Sequence, residues 1–456
     1  MNLKTFFGMA LACMVLGSAG NAQVPHGDGV PAYVGSETCR DCHAEAYDNW
    51  KTSHHGAAWR MPGADSFEGA FEGESFEHDG MRATFTKEGD AYVVNVREKD
   101  GVDVRYELHS VGGVHPLEHP ILSTGKGRLQ SFDVVWDVEQ KRWYHLYPEQ
   151  DLPPEDAFHW TGVYKNWNGR CAECHATGFE KNYDLKTRRY ASTQVEIGVG
   201  CEACHGPGAA HLTIVEGAKP ESFAVTLDDW GFTASMSEPA VAMEQCAGCH
   251  ARREGFGNGN PLPGDAFADN YNLAMLRPGL YHADGQILDE VYVYGSFLQS
   301  KMSQKGVTCA NCHDPHTAEV VAEGNAVCTQ CHSPAGNPDF TSLQLADYEN
   351  AEHTNHPEDT DAAQCVSCHM VDKFYMGTDP RRDHSFRVPR PDLSDVLETP
   401  NACTTCHTDQ AAAWAADKIK AWFPDGQWQQ PHIIWGRMEL EEELKNKNQI
   451  IIIICI

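Results

Sequence analysis

The chain has 456 residues, a formal charge of −30, a pI near 5.1, 18 cysteines and 24 histidines. Acidity on this scale excludes nucleic acid as a partner, because neutralising phosphates needs clustered lysine and arginine. It suits transient docking to a basic protein, steered by a long-range field that salt screens.

Taken in order, residues 1–22 read as a secretory signal. Lys4 gives the positive start, Phe6 to Ala19 the apolar run, and Gly20-Asn21-Ala22 a small-residue cleavage site. The run is too short to span a bilayer. No transmembrane anchor is therefore expected after cleavage, and the location expected is periplasmic or extracellular. Cys13 lacks the leucine that precedes a lipid-acceptor cysteine.

Residues 23–75 form an N-terminal segment holding Cys39, Cys42 and His43, then a helix candidate, AEAYDNWKTSHHGAAW. The same C-x-x-C-H pentad recurs at Cys171, Cys174, His175; Cys201, Cys204, His205; Cys246, Cys249, His250; and Cys309, Cys312, His313. It recurs again at Cys328, Cys331, His332; Cys365, Cys368, His369; and Cys403, Cys406, His407. Zinc sites and thiol redox pairs also use C-x-x-C, but neither needs a histidine directly after it. With histidine at 24 of 456 positions, eight such followers by chance have odds of roughly one in ten billion, which leaves the c-type haem attachment signal. Two thiols bond to the porphyrin edge and the adjoining imidazole takes one axial position on iron. Eight covalently attached haem c groups are expected, and their apolar bulk would replace much of a side-chain core. Only Cys13 and Cys455 fall outside the pentads.

Residues 76–160 alternate as strands do, with turn signals at Glu88-Gly89-Asp90 and Lys99-Asp100-Gly101. They predict an antiparallel β module of four to six strands. His109, His115 and His119 read as surface or turn residues, whereas His145 and His159 sit among aromatics just before the second pentad. Residues 161–410 form the main domain, with seven pentads. Residues 411–456 form a helix, TDQAAAWAADKIKAWF, and a tail ending in IIIIICI that reads as the end of a truncated or frame-shifted product. The fold class expected is a mainly α and irregular haem-packed framework with the β module inserted.

The remaining histidines supply candidates for the second axial position. His54 is preferred to its neighbour His55, and His353 to His356. His211 follows a turn forced by Gly206-Pro207-Gly208, His282 precedes an Ala-Asp-Gly turn, and His316 lies three residues past a pentad. His384 stands within the one basic cluster, Arg381, Arg382, Arg387 and Arg390; His145 and His159 complete the set. Arg252 and Arg253 suit haem propionates, which arginine's planar fork recognises.

The stretches YVGSETCRDCHAEAYDNWKTSHH, RWYHLYPEQDLPPEDAFHWTGVYKNWNGRCAECH, CEACHGPG, YHADGQILDEVYVYGSFLQSKM and GVTCANCHDPH resemble the multihaem cytochromes related to hydroxylamine oxidoreductase and its tetrahaem electron acceptor. They are more similar still to secreted multihaem cytochromes with doubled C-x-x-C-H motifs, often followed by tetratricopeptide repeats. The resemblance implies closely stacked haems with mostly two axial histidines. No C-x-x-C-K pentad, the variant of cytochrome c nitrite reductases, is present.

Two functions follow. Full bis-histidine ligation makes a low-potential electron carrier, exchanging electrons with redox proteins such as a quinol-linked donor or periplasmic cytochromes. One five-coordinate haem instead makes a reductase or oxidase of small nitrogen or sulfur species, with His145, His159, Tyr144 and Arg387 as candidate assisting groups. Oligomeric state is left open.

Overall fold

The computed structural model describes residues 29–426. The stretch read as a secretory signal, with Cys13, and the tail with Cys455 lie outside the described residues.

The expectation of a mainly α framework is overturned. Of the described residues 26% are helical and 21% are in strands, and the largest element is a nearly closed antiparallel sheet of nine strands. Helices stay short because each pentad needs only about one turn to align its two thiols and its imidazole. Proline, glycine and the next pentad then interrupt it.

The sheet comprises β1 (Trp59–Arg60), β2 (Glu72–His78), β3 (Met81–Glu88), β4 (Ala91–Arg97) and β5 (Asp103–Gly112). It continues with β6 (Leu117–Ser123), β7 (Leu129–Ser131), β8 (Val134–Asp137) and β9 (Arg142–His145). The order is β2-β3-β4-β5-β6-β8-β9, with β1 pairing β5 and β7 pairing β6. Strand alternation sends every second side chain inward. Met81, Ala83 and Phe85 of β3 and Val94 and Val96 of β4 thus join Leu108, Val111, Leu122 and Val134 in one buried cluster. Trp143 closes it, its ring stacked on Phe85 at 3.7 Å between centroids and 2° between planes. At the seam, His78 at the end of β2 stacks on His145 at the end of β9 (4.5 Å, 22°). The module therefore has a side-chain core of its own.

The remainder wraps around a cavity of about 3740 Å³ lined by residues of all eight pentads. A site for one small ligand measures about 300–1,000 Å³, so this volume fits several large groups. Among the described residues, no helix is long and apolar enough to cross a membrane.

Candidate haem sites

In each pentad the chain folds locally so that the ligands converge. The backbone N–H of His43 donates to the Cys39 carbonyl at 2.9 Å, and His313, His332 and His407 repeat this bond to Cys309, Cys328 and Cys403. That is one helical turn, on which positions i, i+3 and i+4 share a face. None of the sixteen pentad cysteines is paired in a disulfide.

Six pentad histidines each face a second imidazole. His43 faces His211 at 6.3 Å between ring centroids, His250 faces His55 at 6.2 Å, and His205 faces His316 at 6.5 Å. His313 faces His384 at 6.4 Å, His369 faces His353 at 6.3 Å, and His407 faces His356 at 6.3 Å. Two metal–nitrogen bonds of about 2 Å, plus about 1.1 Å from each nitrogen to its ring centre, add up to roughly 6.2 Å. Direct packing of two imidazoles would be closer, as the 4.5 Å of His78 on His145 shows. The six gaps are the width of one axially ligated iron.

The outer ring nitrogens are already engaged. Nδ1 of His55 meets the Pro315 carbonyl at 3.0 Å, that of His211 the Trp230 carbonyl at 2.8 Å, and that of His356 the Thr354 carbonyl at 2.7 Å. His369 and His384 use the carbonyls of Arg387 and Arg382 in the same way, at 2.7 and 2.9 Å. A carbonyl partner requires the proton on Nδ1, which leaves the Nε2 lone pair for a metal. Burial also pushes His175, His205, His313 and His332 below the usual histidine range, and His250 to about 4. They are neutral at physiological pH, the form a metal needs.

Local backbone explains several positions. Gly206, at φ 90° directly after the Cys201–His205 turn, reverses the chain so that the helix Ala209–Val215 carries His211 to His43. Asn355, left-handed at φ 53°, ends the helix Ala351–Thr354 and separates His353 from His356, so that each meets a different pentad.

The pentads also lie close to one another. The thiols of Cys39 and Cys201, Cys174 and Cys249, Cys246 and Cys309, and Cys328 and Cys365 are near enough to shift each other's ionisation. Cys312 and Cys331, and likewise Cys368 and Cys403, are near enough to perturb each other. The sites therefore form a connected series, first–third and fourth to eighth, with the second pentad joined to the fourth. Cys204 of the third pentad, within electrostatic reach of Cys246, closes the link between third and fourth.

The structure sorts the sequence candidates. It brings His211, His316, His353 and His384 to pentad histidines. It brings His55 rather than His54, and it adds His356. Among the described residues, His54, His282, His145 and His159 make no ring contact with a pentad histidine. His145 stacks on His78, and the buried His159 bonds through Nδ1 to the Thr161 hydroxyl at 2.8 Å. Tyr144 donates to the Met376 carbonyl at 2.7 Å, and Arg387 donates to Ser385 and Gln299, both at 2.9 Å. The four candidate assisting groups are thus engaged in separate places.

His175 and His332 face no second imidazole among the described residues. His332 has the edge of Tyr348 at 6.2 Å. His175, its Nδ1 held by the Ala58 carbonyl at 2.7 Å, shares its surroundings with a buried polar group set. Lys165 Nζ lies 2.9 Å from Asp133 and 3.4 Å above the Tyr147 ring, and Ser131 Oγ lies 3.8 Å from Cys171 Sγ. His119, pushed to about 4 by burial, completes it.

Comparison with known proteins bears on the cofactor. The cytochrome c554 and c-prime family matches residues 38–82 and 152–206, and the doubled CXXCH motif matches residues 302–337. The chain is related to the multihaem c-type cytochromes. The C-type polyheme cytochrome OmcC of Geobacter sulfurreducens is 28% identical over 46% of this chain and 27% of its own length. The dissimilatory sulfite reductase MccA of Wolinella succinogenes is 22% identical over 74% of this chain and 50% of its own. The chain thus spans about a quarter to a half of these curated relatives. The solved outer cell wall cytochrome OcwA shares the fold, with a TM-score of 0.55 at 19% identity, covering 91% of this chain and 90% of that one. Haem c is the cofactor that the multihaem relatives and the pentads agree on.

Proposed function

We propose that the chain is an exported electron carrier holding eight haem c groups, six of them between paired imidazoles. The observation that carries this reading is the set of six histidine pairs at 6.2 to 6.5 Å. Haem c supplies a one-electron iron couple, and two axial histidines favour the low-spin form and low potentials. The polypeptide contributes spacing: its carbonyls aim each imidazole, and its adjacent pentads keep neighbouring sites close. The acidic surface supports docking to basic redox proteins. A place in the periplasm or outside the cell agrees with the signal-like start and with the cell-wall cytochrome of similar fold. Intact mass of the exported protein should show eight haem additions, and EPR of the oxidised protein should be dominated by low-spin ferric signals. A mass equal to that of the bare polypeptide refutes the reading.

One observation favours a second reading. His175 faces no imidazole and shares the cavity with the Lys165, Asp133, Tyr147 and His119 group. An open axial position there would let the protein act on small nitrogen or sulfur oxyanions, as one relative acts on sulfite. A high-spin ferric signal for one haem, altered by nitrite or sulfite, supports this reading; its absence excludes it.

A further inference from the structure

Arg253 lies three residues after the fourth pentad and binds both that pentad and the second. Its Nε donates to the carbonyl of Gly248, inside the fourth pentad, at 2.8 Å. Its Nη2 lies 3.4 Å from the thiol of Cys174 in the second, and its Nη1 lies 3.1 Å from the carboxylate of Glu173 beside it. The guanidinium also covers the face of Tyr271, with Cζ 3.9 Å from the ring centroid. Lys181 Nζ reaches the other oxygen of Glu173 at 2.9 Å. Two cations therefore share one carboxylate, leaving a net positive charge between the two pentads that Arg253 bridges.

The charge is deeply placed: the Arg253 side chain is 10% exposed and that of Glu173 is 6%. Low polarity and short distance make a charge act strongly on its neighbours. A fixed cation opposes the extra positive charge of ferric iron relative to ferrous, and charge and burial are among the terms that set haem potentials. A surface propionate partner would be solvated and screened. Arg253 is instead held by a carbonyl, a carboxylate and an aromatic face, so that its charge cannot move away.

We infer that Arg253 is the redox-tuning residue of this junction, raising the midpoint potentials of the haems at the Cys171–His175 and Cys246–His250 pentads. Electrons are thereby biased toward the point where the second pentad joins the series. The inference rests on haem attachment at both pentads, which peptide mass spectrometry of the parent protein tests separately. Loss of that reading would appear as unmodified Cys174 and Cys249.

The test is potentiometric titration of the haem-loaded protein, followed by visible and EPR spectra, with haem count checked by mass. Arg253→Gln should lower one or two couples by at least a tenfold change in the oxidised-to-reduced ratio at fixed potential, about 59 mV for one electron. Lys181→Gln should lower the same couples by less, and Glu173→Gln should raise them. Arg253→Lys, which keeps the charge and loses the fork, should stay nearer the parent than Arg253→Gln. Unmoved couples in both Arg253→Gln and Lys181→Gln, at full haem count, overturn the inference. Should Arg253→Gln fail to retain its haems, Lys181→Gln decides: its ammonium meets the Glu173 carboxylate and the Gly257 carbonyl rather than a pentad thiol, and no downward shift rejects the idea.

Discussion

His205 and His316 face each other at 6.5 Å with planes 12° from parallel, although they belong to different pentad regions. His316 lies three residues past the fifth pentad, yet it faces the third; His313 of that fifth pentad turns to His384 instead. One short stretch, CHDPH, thus stitches two sites together. Replacing His316 with Ala should convert one haem from low-spin to high-spin in the EPR spectrum. The haem count should stay the same, since both thioethers remain.

His54 and His55 are adjacent, but only His55 meets a pentad histidine, His250, at 6.2 Å. His55→Ala should therefore remove one low-spin signal and open one iron to cyanide. His54→Ala should leave the spectrum as in the parent. Equal effects of the two replacements would contradict this assignment.

The β module owes its stability to side chains. Phe85 is fully buried and lies flat on Trp143. Phe85→Ala should cost about 3–5 kcal/mol of module stability through lost burial and a cavity. Denaturant unfolding followed by tryptophan fluorescence should shift accordingly, while the Soret band of the loaded protein keeps its position.

His145 gives the sheet seam a pH dependence. Burial, with the neighbouring His78, pushes it to about 4, below the usual histidine value near 6.5. The unfolded chain then takes up the proton first as pH falls. Stability contributed here is present above pH about 6.5 and is lost as pH falls through about 4. Replacing His145 with Phe should flatten the melting temperature across that window; an unchanged slope counts against the seam.

The pentads were legible because covalent attachment dictates spacing over five residues, a purely local rule. The β module was legible from alternation, but its size was not. Nine strands form where four to six were expected: the two-residue β1 joins by pairing with the distant β5, β2 begins before residue 76 with little hydrophobic pattern, and β7 to β9 are only three or four residues long. That undercount, with most helices cut to four or five residues, is why the mainly α expectation failed. The second imidazoles were partly legible. His211 follows a glycine turn that the sequence displays, whereas the choice between His54 and His55 depends on a carbonyl of Pro315 far along the chain. His356 was passed over because one left-handed asparagine, invisible to composition, lets both it and His353 be used.

The nearness of thiols from different pentads carries a consequence for biogenesis. Where Cys39 lies near Cys201 and Cys328 near Cys365, two porphyrin edges have to be seated side by side. The expected order is ligation on an open polypeptide and compaction after it.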